Sequence, residues 1–270
     1  MNPRTRAIDP RGIPAALVAP ALLGAAVLLL PIIALLLRID WQLLPATLVA
    51  PETASALGLS LATAAIATIC CVVLGVPLAV VIARTSGALS GVLRGLITLP
   101  LVLPPLVGGL ALLTLLGRGG MFGDALAELG VRIPFTTVAV VIAQVFVALP
   151  FLVISVEGSL RALDPATEEA AATLGASPLV VLFRITLPII APGLIAGVIL
   201  SFTRALGEFG ATALFAGNAA GSTRTIPLAI YSAFNGAGVT QDVALALSLV
   251  LIVTSLTVLV ILGGKTARSF

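Results

Sequence analysis

The chain has 270 residues, 60% of them hydrophobic and only 9% charged, with a mean hydropathy of +1.24. A soluble domain of this size cannot bury so large an apolar share, so the solvent must be lipid, and the long uninterrupted apolar runs exclude the alternating strands of a membrane barrel. A net charge of only +3, with the basic residues scattered, excludes a nucleic-acid footprint and a polybasic lipid anchor.

In chain order, the apolar runs predict six spanning helices: Ala15 to Leu37, Leu57 to Ala83, Val92 to Leu116, Phe135 to Val156, Ile189 to Phe209 or slightly beyond, and Val243 to Leu262. The first run is too long for a cleavable signal, and Leu35-Leu36-Leu37-Arg38 offers no small-residue cleavage site. Cys70 and Cys71 are adjacent within the second run, where they read as apolar packing. In the third run, Pro100, Pro104, Pro105, Gly108 and Gly109 predict a broken or strongly bent helix, either lining a transport pathway or kinked passively for packing. The fifth run carries Gly193 and Gly197, a small-xxx-small step for close helix crossing. It also carries Arg204 and Glu208, four residues apart, either an outer-gate ion pair or a structural pair at the lipid interface.

Arg4, Arg6, Arg11, Arg84, Arg94, Arg161, Arg184, Lys265 and Arg268 fall on one side of such a six-span topology. Arg38, Arg118, Arg132, Arg204 and Arg224 fall on the other. The excess places both termini in the cytoplasm. A single membrane domain over residues 1–270 is expected, with no internal inverted repeat.

The longest cytoplasmic loop, about 158–188, is punctuated as two short helices. Asp164 caps the first, Pro165 occupies its first position, Glu168 and Glu169 lie near its positive end, and Gly175 ends it. Ser177-Pro178 then starts a second helix that runs toward Pro188. The alanines Ala170, Ala171 and Ala172 suit close approach by a partner backbone. An amphipathic loop lying on the membrane surface is the competing reading.

Glu169-Ala170-Ala171, three residues, Gly175, nine residues, Ile185, one residue and Leu187-Pro188 resemble, without a departure in spacing, the EAA loop of ABC-importer permeases. LPLVLPPLVGG at 99–109, TRALGEFGATALFAGN at 203–218 and TRTIPLAIYSAF at 223–234 resemble the molybdate branch of that family. The resemblance implies an all-α, six-helix integral membrane subunit of the type I permease kind in a bacterial inner membrane. Its Glu169, Ala170, Ala171, Gly175, Ile185, Leu187 and Pro188 would couple to a separate ATPase. It further implies a second copy of the chain, two ATP-binding subunits, and an extracytoplasmic molybdate-binding protein. ATP and magnesium would belong to the ATPase, leaving this chain without a cofactor, metal or catalytic residue. Pro104, Pro105, Arg204 and Glu208 are the pathway or gate candidates. Arg224 and Tyr231, in an outer segment too polar to span, are the candidates for docking the binding protein.

Sulfate or thiosulfate is the alternative cargo for such a permease. An ion-coupled transporter is a weaker alternative, since no carboxylate relay sits near a span's midplane. An intramembrane enzyme is disfavoured too: histidine is absent, and no nucleophile elbow or paired aspartates occur. Gly-Gly-Lys265-Thr266 matches the end of a phosphate-binding loop, but Leu259 replaces its first glycine and an apolar span precedes it.

Overall fold

A computed structural model describes residues 14–236 and 241–266, and within them every regular element is a helix. Arg4, Arg6, Arg11 and Arg268 lie outside the described residues. The helices are α1 Ala15–Arg38, α2 Leu44–Val49, α3 Pro51–Arg84, α4 Gly87–Val102, α5 Pro105–Leu116, α6 Gly123–Glu128, α7 Thr137–Ala162 and α8 Pro165–Thr173. They continue as α9 Pro178–Val181, a π turn Leu182–Thr186, α10 Leu187–Ile189, α11 Ala191–Leu206, α12 Gly210–Phe215, α13 Ile226–Phe234 and α14 Gln241–Thr266. Lys265 and Thr266 therefore continue a helix and form no phosphate-cradling loop.

Four helices, α1, α3, α7 and α14, are each long and apolar enough to cross a membrane. The other two crossings are bent pairs: α4 and α5 meet at 112°, and the segment Pro178–Ile189 meets α11 at 75°. The chain is thus a multi-pass membrane protein with up to six spans. Proline explains the first break. Pro104 and Pro105 have no backbone N–H to donate, and Pro104 is extended (φ −53°, ψ 135°), so α4 stops and α5 begins with Pro105 in its first turn.

Two spans differ from the limits expected from hydropathy. α3 starts six residues early, because Pro51 after the extended Ala50 nucleates a helix that carries Glu52 and Thr53 before the apolar run begins. At 34 residues it is about 51 Å long, well beyond the roughly 30 Å of a hydrocarbon core. The fifth span is shorter than expected. α11 ends at Leu206, and the chain breaks at Gly207-Glu208-Phe209 before resuming as α12.

The core is the mutual packing of α3, α7 and α11 around Ala64, Ala67, Cys71, Ile82, Leu152, Val156 and Leu206. Small residues set the spacing. A Cβ on Gly193 would lie 1.7 Å from Ser159 Oγ, and one on Gly197 would lie 3.4 Å from Leu152 Cα. Ser155 and Ser201 add hydrogen bonds across the seam, to the carbonyls of Gly193 (2.8 Å) and Ala148 (3.1 Å). A second core joins α5, α7 and α12 through Leu112, Val140, Ala143, Val147 and Phe215. Here the backbones nearly touch, since a Cβ on Gly109 would stand 2.8 Å from the Ala211 carbonyl oxygen.

Gly109→Val should therefore cost about 1–3 kcal/mol through overpacking. A thermal scan of the purified protein should show a lowered midpoint, whereas Gly58→Val, where the added Cβ meets nothing within 4 Å, should leave it nearly unchanged.

Candidate functional site

The loop between α7 and α11 forms the predicted pair of short helices. Asp164 Oδ1 accepts the Ala166 N–H at 3.0 Å, and Pro165 opens α8. At the other end the Gly175 N–H donates to the Ala172 carbonyl and the Ala176 N–H to Ala171, with Gly175 at φ +87°. That left-handed conformation is open to glycine at little cost and closes the helix by satisfying its last carbonyls. Ser177 occupies the next cap position by backbone geometry, but its hydroxyl makes no capping bond.

The second helix is interrupted by the π turn, in which the Leu187 N–H reaches back five residues to the Leu182 carbonyl. Pro188 follows at once and cannot donate to the Arg184 carbonyl, so a regular α turn would leave that acceptor unpaired here. Leu187 packs against the main core and Thr186 is fully buried, which fixes this end of the loop. Glu169, Ala170, Ala172 and Pro188 lie on the open surface, Ile185 is half-buried, and Ala171 is turned inward. Leu174 is 89% exposed at the tip, beside exposed Leu179, Val180 and Phe183.

Glu168 does more than complement the helix dipole. It accepts from Arg84 Nη2 at 3.0 Å, at the end of α3, and from the buried hydroxyl of Thr186. One carboxylate thus ties α8 to α3 and to the approach to α11. Glu157 accepts from Arg94 of α4 and, at 2.9 Å, from Arg161 of its own helix. Arg161 also reaches the Ile82 carbonyl and Ser90. Sequence reasoning missed both assemblies. Their interhelical arginine–carboxylate pairs, Arg84–Glu168 and Arg94–Glu157, stand 84 and 63 residues apart, and only the position of Glu157 near the end of a span signals the need for cations.

At the opposite end of the bundle, the pathway candidates converge. Arg204 Nη1 lies 2.7 Å from Glu208 Oε2, and Glu208 is 1% exposed. The pair does not share one helix face, because α11 ends between them. Glu208 instead turns back, and its second oxygen accepts the Ala211 N–H at 2.7 Å, capping α12. Pro105 sits against the start of α12: a Cβ on Gly210 would meet its side chain at 2.7 Å. The break in the third span and the ion pair after the fifth thus adjoin. A carboxylate so enclosed by protein fits a structural or gating pair inside the fold better than a pair facing lipid.

Gln144 was also missed. It is buried in α7 with neither end of its amide paired among the described residues. The Ser201 bond to Ala148 sets the register of the α7–α11 seam, placing Gln144 one turn on, level with the last turn of α11 that carries Arg204. A lone glutamine in an apolar span was the available signal.

Arg224 and Tyr231 are not brought together. Arg224 Nε donates to Asn218 Oδ1 at 2.9 Å and lines an open cleft of about 310 Å³ with Pro51, Glu52, Ser55 and Gly221. Tyr231, on α13, stacks at 5.0 Å on Phe209, the residue next to Glu208, and remains half exposed.

The sequence model of the family described as "Binding-protein-dependent transport system inner membrane component" matches residues 75–264. The chain is 48% identical over 258 residues to the "Molybdenum transport system permease protein ModB" of Mycobacterium tuberculosis, covering 95% of this chain and 96% of that one. It is 42% identical to the protein of the same name from Haemophilus influenzae, over 70% of this chain and 83% of the relative. To the "Sulfate transport system permease protein CysT" of Salmonella typhimurium it is 36% identical, over 76% and 75% of the two chains. Among solved structures, the fold matches a chain of a bacterial ABC transporter involved in import of the acidic polysaccharide alginate. That match has a TM-score of 0.70 and 18% identity, and covers 94% of both chains. A chain of the MetNI methionine ABC transporter matches at 0.61 and 16% identity, over 80% of this chain and 94% of that one.

Proposed function

The chain belongs to the binding-protein-dependent transport system inner membrane components, and from that premise we propose that it is the membrane subunit of an ATP-driven molybdate importer. The observation that carries the cargo is the 48% identity to a molybdenum permease along nearly the whole of both chains, against 36% over about three quarters for a sulfate permease. Tungstate, of the same shape and charge, would share the route.

In this reading the loop 158–188 faces the cytoplasm, both termini lie on that side, and two copies of the chain enclose the pathway. Each copy rests on one ATPase subunit, which supplies ATP and magnesium chemistry; the permease itself makes and breaks no covalent bond. Glu169, Ala170 and Ala172 offer a polar, small-residue surface to the ATPase, and Leu174, Leu179 and Phe183 offer an apolar tip. Ala171, Leu187 and the Glu168 tie hold that surface to the helices behind it. Alternating access then follows from ATP-driven closure of the ATPases, which draws the two loops together and changes the relative tilt of the helices lining the pathway. Pro104, Pro105, Arg204 and Glu208, at the junction of broken helices opposite the loop, would act in the outer gate. The Arg224 cleft and Tyr231 are open to a binding protein that delivers the anion.

Liposomes holding this chain, its ATPase and its binding protein should take up molybdate only with ATP present inside with the ATPase, and in preference to sulfate. Uptake of sulfate alone would replace the cargo but keep the importer. Uptake that needs no ATP would overturn the reading.

A further inference from the structure

Three arginines from three different helices open onto one cleft at the loop end of the bundle. We propose that this cleft binds the phosphate of an anionic phospholipid from the inner leaflet. The inference depends on which face is cytoplasmic and is independent of the cargo.

The cleft has a volume of about 490 Å³ and is lined by Arg84 and Thr85 at the end of α3, by Ser86, Gly87, Ser90, Gly91 and Arg94 at the start of α4, and by Arg161 of α7. Gly87, Ser90, Gly91 and Arg94 follow the i, i+3, i+4, i+7 spacing, so they present one face of α4 to it. The glycines leave the floor bare, and a Cβ on Gly91 would meet nothing within 4 Å.

The side chains of Arg84, Arg94 and Arg161 are 48%, 43% and 42% exposed. Their pairing with the protein is incomplete. Glu157 takes bonds from Arg94 Nε and Nη2 and from Arg161 Nε, and Glu168 takes Arg84 Nη2. Among the described residues, Nη1 of each arginine donates to nothing. Three cations thus face two carboxylates that are already shared, leaving one positive charge and three Nη1 amino groups with donors to offer. A phosphate diester matches this in charge and in acceptor geometry.

A free oxyanion would satisfy the same groups; the surface beside the cleft selects a lipid. Ile66, Ile69, Val73 and Val81 are all exposed and, by helical spacing, share one face of α3 that runs down to Arg84. That stripe gives an acyl chain a track from the hydrocarbon core to the guanidiniums. Basic residues at the surface of the inner leaflet attract anionic headgroups. Because Arg84 also holds Glu168, a bound phosphate would stand next to the tie between α3 and the loop.

The test uses the purified complex of this chain with its ATPase, titrated with phosphatidylglycerol, phosphatidylcholine or inorganic phosphate, with retention counted by native mass spectrometry. Phosphatidylglycerol should be retained in preference to phosphatidylcholine, and inorganic phosphate should fail to displace it. Gly91→Glu, which places a carboxylate in the cleft without a clash, should lower retention roughly fivefold or more, while Gly91→Gln should not. Equal retention of the two lipids, displacement by inorganic phosphate, or equal retention by the two variants would each overturn the proposal. The two lipid arms on the unaltered protein decide the matter even if a variant fails to assemble.

Discussion

Gly175→Pro should cut ATP-dependent uptake by roughly a hundredfold while the subunit still inserts in the membrane. Gly175 holds φ +87°, and proline is locked near −65°. The substitution also deletes the N–H that donates to the Ala172 carbonyl. A backbone penalty of about 3 kcal/mol or more lowers the population of the native turn by about that hundredfold factor. No apolar core residue is touched, since Gly175 is exposed and has open space around it. Hydrolysis by the ATPase should continue, now uncoupled from transport. Gly175→Ala, which keeps the N–H and strains only φ, should fall between, with a cost of about 1–2 kcal/mol. Uptake by the proline variant within twofold of the unaltered protein would remove the coupling role from this turn.

Glu208→Ala should destabilise the protein by about 3 kcal/mol, seen as a lower denaturation midpoint in detergent or nanodiscs. The change strips Arg204 of its partner and leaves the Ala211 N–H at the start of α12 without its acceptor. Removing one member of a buried pair is costly because the other charge stays behind. The lower end of the 3–5 kcal/mol range applies because Arg204 keeps 28% of its side chain exposed. Replacing both residues, as Arg204→Met with Glu208→Leu, should recover part of the stability, since no orphaned charge remains. If the pair also acts in the outer gate, transport by the double variant should stay low after its stability returns. Full transport in the stabilised double variant would assign Arg204 and Glu208 to structure alone.

Much of the fold was legible because lipid imposes simple rules on a sequence. Of the six apolar runs, four became single helices long enough to cross and two became bent pairs, Pro104-Pro105 marked the broken third span, and the 158–188 loop carried its own caps: Asp164, Pro165 and Gly175 act where their chemistry requires. Hydropathy was a poorer guide to helix ends. Glu52 and Thr53 looked like loop because they are polar, yet Pro51 starts the helix ahead of them. Gly207 to Phe209 looked like continued span because Phe209 is apolar, yet the chain turns there so that Glu208 can cap α12. Long-range polar contacts were not legible at all. Nothing local distinguishes the Arg84 that holds Glu168 from a basic residue that merely satisfies topology, and Gln144 stands out as a lone amide in an apolar span without revealing what it faces.

The double anchorage of Glu168 has a mechanical consequence. A loop fixed at one point would pass a push from its tip to one helix as simple translation. This loop is fixed to the end of α3 through Arg84 and to the turn before α11 through Thr186, and a 75° bend separates that turn from α11. A force applied at Leu174 would therefore act on two lever arms at once and arrive as torque. α3 and α11 both pack on α7, so a push at the loop would load both helices against α7 rather than one alone.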